Sequence, residues 1–155
     1  MRLRVVALGH RMPPWAGEAV AEYARRLPRE LAFDLVELKP APRDRGRNVA
    51  QVLADEARRV LAACAGARII ALDERGVAWT TQALAAAVTR WRDESTDVAF
   101  VIGSADGLDA TVKQRADMLL AVSAMTLPHA LVRVMLVEQL YRAVSLNAGH
   151  PYHRE

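Results

Sequence analysis

The chain predicts an α/β fold, with a mostly parallel sheet flanked by helices, and three observations carry that expectation. Short runs rich in β-branched residues alternate with helical-period segments along the whole sequence. Gly, Pro or Asn punctuates nearly every junction between them. No linker, repeat or low-complexity stretch divides the chain, so residues 1–155 read as one domain.

Leu3 to Leu8 is an apolar, β-branched run closed by Gly9, which suits a buried strand. Pro13 and Pro14 fit the first turn of a helix, and Ala16, Val20, Tyr23, Ala24 and Leu27 then recur at helical spacing until Pro28. Ala32 to Leu38 alternates as a second strand. Lys39 to Arg47 (KPAPRDRGR) reads as a basic loop. Asn48 is placed to cap a helix reaching about Cys64, with Val52, Leu53, Ala57, Val60 and Leu61 on one face. Ala67 to Leu72 forms the third strand, and Asp73 to Gly76 turns away from it. Thr80 or Thr81 caps a helix running toward Glu94, and Asp97 to Ile102 is the fourth strand. A short helix from Asp109 to about Ala116 leads into a fifth strand, Met118 to Val122. Pro128 then opens a long helix, about His129 to Asn147.

Composition narrows the function classes. Of the 21 basic residues only Lys39 and Lys113 are lysine, and the net charge is +3. Arginine's planar fork matches phosphate oxygens, which makes nucleic acid a fitting partner, although an Ala- and Arg-rich chain is also what a GC-rich genome encodes. The lone Cys64 excludes an intrachain disulfide, and no cysteine cluster exists to hold zinc. No apolar run approaches a membrane span or a signal-peptide core, so a soluble cytoplasmic protein with no membrane partner is expected.

Ligands of open α/β sheets bind beyond the carboxyl ends of strands. The first such segment, Gly9 to Pro13, lacks GxGxxG, and no GxxxxGK[ST] exists anywhere, which counts against dinucleotide and Walker-type sites. Three later strand ends suit a ligand better: Leu72-Asp73, Ile102 to Gly107 (IGSADG), and Val122 to Pro128. Gly103 and Gly107 permit close backbone approach. The third loop is largely apolar and suits a flat heterocycle held through backbone groups.

The final helix is apolar nearly all round, which implies burial against its own sheet and against a second subunit. Glu138 and Arg142 fall at i, i+4 spacing and pair on that helix; Arg142 or Arg133 facing a phosphate is the functional alternative. Beyond it, Pro151 stops the helix, and Tyr152, His153 and Arg154 combine a stacking ring, a proton acceptor and a phosphate fork.

With these residues in view, the chain resembles over its whole length the SPOUT-class methyltransferases that act on a pseudouridine of large-subunit ribosomal RNA. The resemblance rests on IGSADG at 102–107, the SxMTLPHxLVRVxLxEQLYRAxS block at 123–145, and HPYHRE at 150–155. Ser104 departs from it, standing where the family has the second glycine of a GG pair. The resemblance implies S-adenosylmethionine as methyl donor, bound by Leu72, Gly103, Val122, Ser123, Ala124, Met125, Thr126 and Leu127, with no metal. It implies a SPOUT-type fold with a C-terminal trefoil knot, and a homodimer whose subunits complete one another's sites. It further implies methylation at N3 of a pseudouridine in 23S ribosomal RNA, within the assembled ribosome. In that chemistry His153 is the candidate general base, Tyr152 stacks on or orients the target base, and Arg154 or Arg142 holds phosphate; His129 is a second base candidate. Two rival readings remain from the residues alone. One is an α/β enzyme with a nucleotide cofactor, the other a non-catalytic ribosome-associated RNA-binding protein.

Overall fold

A computed structural model describes residues 1–9, 11–43 and 46–154. The elements are β1 (Leu3–Leu8), α1 (Pro14–Arg26), a 3-10 turn (Arg29–Leu31), β2 (Asp34–Leu38), α2 (Val49–Ala63) and β3 (Arg68–Ala78). They continue with α3 (Thr81–Asp93), β4 (Val98–Ile102), α4 (Ala110–Arg115), β5 (Met118–Ala121) and α5 (His129–Asn147). The strands form one sheet in the order β2-β1-β4-β3-β5, and every strand pairing is parallel.

A parallel sheet must be covered on both faces, so its strands alternate between two apolar layers. Leu3, Val5, Ile70, Val98 and Phe100 meet side chains of α1, α3 and α5, among them Val20, Trp91, Val137 and Leu140. On the other face Val6, Leu8, Ala71, Ala99 and Val101 meet α2 and α4 through Ala57, Val60, Cys64 and Val112. Cys64 is buried, and desolvation pushes its thiol up to about 11. The helix starts are set locally. Asn48 and Gln51 form a reciprocal capping box on α2, and the Thr80 hydroxyl accepts from Ala83 N–H to open α3.

Several boundaries differ from expectation, β3 and β4 each beginning one residue late, at Arg68 and Val98. Ala32 adopts φ 37° as the cap of the 3-10 turn, so β2 begins at Asp34 rather than at Ala32. β5 ends at Ala121, one residue before the expected Val122. β3 does not stop at Leu72. It loops outward through 73–76 and resumes, Val77 and Ala78 pairing with Leu120 and Ala121. Gly76 permits this, because a Cβ there would lie 2.6 Å from the backbone of Leu119 and Leu120. Asp44 and Arg45 of the expected basic loop, and His10 of the first strand-end segment, lie outside the described residues.

Candidate active site

The outpouching of β3 and the loops that follow β4 and β5 converge on one cavity of about 470 Å³, within the roughly 300–1,000 Å³ usual for small-molecule sites. The floor is the turn after β4. Gly107 N–H donates to the Ser104 carbonyl at 2.8 Å, folding the turn back on itself. A Cβ on Gly103 would stand 2.8 Å from the Gly107 carbonyl group, so only glycine fits there. The outpouching of β3 supplies Asp73. Its carboxylate pairs with Lys113 Nζ at 2.5 Å and accepts Arg75 N–H at 2.8 Å. Those two partners, Lys113 foremost, hold the Asp73 carboxyl below the usual carboxylate range. In the third loop the Ser123 hydroxyl accepts Met125 N–H at 2.9 Å, and Thr126 Oγ1 donates to Glu74 Oε2 at 3.2 Å. The first and third loops are thereby tied across the mouth.

Of the residues expected to hold the methyl donor, Leu72, Gly103, Val122, Ser123, Met125, Thr126 and Leu127 all line this cavity; Ala124 does not. Lys113 and Val132 also line it and carry no local signal in the sequence, beyond the rarity of lysine in this chain.

A second cavity of about 740 Å³ lies alongside, between the loops after β1 and β2 and the start of α5. It shares Ser104, Ala105 and His129 with the first. Its inner wall is largely apolar, with Met12, Pro13, Pro40, Ala41 and Pro42, and exposed Arg11, Lys39 and Arg43 stand around it. Arg43 is ion-paired to Asp106 of the glycine turn. Arg133 is 1% exposed and donates from Nη1 to Glu37 Oε1 at 2.7 Å, while its Nε has no partner among the described residues. His129 borders both cavities. Burial, and then the nearby Arg133 guanidinium, hold its imidazole below the ordinary 6.5, so it is neutral and able to accept a proton at pH 7.

The C-terminal tail packs elsewhere on its own chain. The Tyr152 hydroxyl donates to Glu138 Oε1 at 3.1 Å, its ring centroid lies 4.7 Å from that of Tyr141, and the Arg142 guanidinium sits 4.8 Å from its centroid. Arg142 also forms the expected pair with Glu138, with Nε and Nη2 at 2.9 and 2.8 Å from Oε1. Burial, helped by hydrogen bonds to Tyr23 and Glu138, keeps the Tyr152 phenol well above its ordinary pKa and therefore protonated. Arg154 Nε donates to the Pro151 carbonyl at 3.3 Å, and His153 Nδ1 is buried without a partner among the described residues. Within one chain, none of Arg142, Tyr152, His153 and Arg154 lines either cavity. Glu138 stands nine residues along α5 from His129, about 13 Å at 1.5 Å per residue.

This arrangement is a parallel α/β domain with a small-molecule cavity built from the last three strand ends. A family described as "Predicted SPOUT methyltransferase" matches residues 1–153, and the chain belongs to it. Within that family it groups with proteins named "Ribosomal RNA large subunit methyltransferase H". The relative from Paraburkholderia phymatum is 54% identical over 155 residues, covering 99% of both chains. One from Burkholderia multivorans shows the same identity and coverage. Solved structures agree on the fold. A probable methyltransferase from Bordetella pertussis superposes with TM-score 0.60 at 20% identity, over 92% of this chain and 93% of that one. A methylase family protein from Neisseria gonorrhoeae gives 0.59 at 14% identity, over 99% and 86%. Among the described residues no helix is long and apolar enough to cross a membrane, and no three His, Cys, Asp or Glu side chains gather as a ligand set.

Proposed function

We propose that the protein transfers a methyl group from S-adenosylmethionine to N3 of a pseudouridine in 23S ribosomal RNA, acting on the assembled ribosome as a homodimer with a C-terminal trefoil knot. The observation that carries this reading is the convergence of three strand-end loops on one cavity whose floor admits no side chain at Gly103. The 54% identity to proteins named as large-subunit ribosomal RNA methyltransferases supports the acceptor.

The residues present fit the donor. The lining sets the carboxylates of Asp73, Glu74 and Asp106 against the cations Arg75 and Lys113, and the 122–127 loop offers backbone to a flat heterocycle. S-adenosylmethionine supplies a methyl already activated by the positive charge on sulfur. The protein's task is then mainly alignment of two reactants and removal of one proton. The second cavity, sharing a wall with the first, is where the acceptor base enters, with Arg11, Lys39 and Arg43 facing phosphate. Transfer would break the sulfur–methyl bond and leave a neutral thioether, the N3–methyl bond would form with the electron pair of the N3–H bond, and the N3 proton would pass to an imidazole.

His153 is the proposed base, with Tyr152 orienting the target base and Arg154 or Arg142 on phosphate. These groups lie off both cavities of their own chain, so they act on the site of a second copy. The partly exposed apolar residues of α5, including Leu131, Val134 and Met135, support pairing through that helix. His129 is the alternative base, favoured by its place between the two cavities.

Thermal shift and calorimetry with S-adenosylmethionine, NAD and ATP test the reading. Saturable binding of S-adenosylmethionine alone is expected. Selective binding of NAD or ATP would favour a nucleotide-cofactor enzyme, and binding of none a non-catalytic ribosome-associated protein.

A further inference from the structure

Glu56 is a carboxylate that the mechanism does not use, yet it sits 1% exposed on the inner face of α2, beside Ala57 and Val60. An apolar residue would serve packing better there, since a buried charge costs free energy unless hydrogen bonds compensate it. Among the described residues Glu56 has two such bonds, and they go to different loops. Oε1 accepts Ala41 N–H at 3.1 Å, and Oε2 accepts the Ser104 hydroxyl at 3.2 Å. Ala41, 2% exposed, belongs to the wall of the second cavity. Ser104, 4% exposed, belongs to the wall that both cavities share and directly follows Gly103. The Arg43–Asp106 ion pair joins the same two loops at the surface.

From this juxtaposition we infer that Glu56 is a positioning residue, an internal strut that sets the glycine turn of the donor cavity against the loop bounding the acceptor cavity. Ser104 supplies the donor-side half of the strut. The Ser104 hydroxyl satisfies a carboxylate oxygen that a glycine at this position would leave without that partner. The inference rests on the methyl-donor reading above and deepens it. Substrate alignment depends on Glu56, which lines neither cavity and acts through Ser104 and the Ala41 loop.

The test separates positioning from folding by measuring affinities on protein shown to be folded. Three variants are compared with wild type: Ser104→Ala, Glu56→Ala and Glu56→Gln. Removing the Ser104 hydroxyl leaves one buried carboxylate oxygen unsatisfied beside the donor, and the Kd for S-adenosylmethionine rises about tenfold. Glu56→Ala releases both loops, so that Kd and the KM for the ribosomal acceptor rise together. Glu56→Gln retains an acceptor for Ala41 N–H and offers an amide donor to Ser104 Oγ, so it restores both constants to within about threefold of wild type. Melting temperatures that fall while both constants stay at wild-type values in Ser104→Ala and Glu56→Ala would overturn the inference. If Glu56→Ala does not fold, Ser104→Ala and the Glu56→Gln rescue decide the matter. Wild-type protein that binds no S-adenosylmethionine would overturn the donor reading itself, and the inference with it.

Discussion

The Tyr152 hydroxyl donates to Glu138 Oε1 at 3.1 Å, which fastens the last turn of the chain to the middle of α5. Arg142 shares that oxygen and covers the Tyr152 ring, so the tail is held by a cluster of polar and stacking contacts. Tyr152→Phe keeps the ring and removes the hydroxyl. The loss should be about 0.5–1.5 kcal/mol, read as a melting point lower by roughly 1–6 °C. If the tail orients the acceptor as proposed, methyl transfer should fall further than stability does. A kcat that stays at the wild-type value would remove Tyr152 from the site.

A site shared between subunits can be rebuilt from two damaged chains. Gly103→Ala places a Cβ 2.8 Å from backbone and should abolish donor binding, while His153→Ala should remove the base. Co-expressed, the two variants should regain activity that neither has alone, since the mixed dimer contains one intact donor cavity facing one intact tail. Failure of the mixture, with mixed dimers demonstrated by mass spectrometry, would place each site within a single chain.

His129 gives a pH signature. Its folded-state pKa lies below 6.5, through burial first and Arg133 second. The neutral imidazole is thus the folded form at pH 7, and the stability it contributes is present above 6.5 and lost as pH falls through its depressed folded value. If His129 takes the proton, the acid limb of kcat/KM lies below 6.5 and vanishes in His129→Ala, while His153→Ala remains active. If His153 is the base, it is His153→Ala that loses the rate.

The basic loop after β2 should govern the salt dependence of ribosome binding. Its charges are not equivalent in the fold. Arg43 is paired with Asp106, Arg47 lies 3.6 Å from Asp55 and also donates to the Pro42 carbonyl, and Arg45 falls outside the described residues. Charge reversal at Arg43, Arg45 and Arg47 should weaken association and flatten its dependence on salt. Reversal at Arg43 alone should also raise the KM for donor, because it opposes Asp106 in the glycine turn. An unchanged salt slope would take this loop off the RNA surface.

Much of this architecture was legible because it is written locally. β1 and α5 begin and end where the apolar runs and Pro128 predict, and the Asn48 cap needs only its own neighbours. That the loops at 102–107 and 122–128 meet at one cavity was legible for a related reason, since parallel sheets deliver strand ends to one edge. What escaped was tertiary. The return of β3 depends on Gly76 meeting the backbone of β5, and nothing within 73–78 announces that partner. Glu56 resembles any helix-face glutamate until Ala41 and Ser104 are brought to it, and the second cavity draws on three segments far apart in sequence. Ala32 shows the limit of alternation as a guide, because a left-handed cap takes the place of a strand residue.

The most direct test of the central claim is transfer of labelled methyl from S-adenosylmethionine to assembled ribosomes that lack the modification, with the product nucleoside identified by mass spectrometry. Incorporation into one N3-methylpseudouridine of 23S RNA is predicted, on ribosomes and not on free ribosomal RNA. No incorporation, or label at another atom or nucleoside, would contradict it.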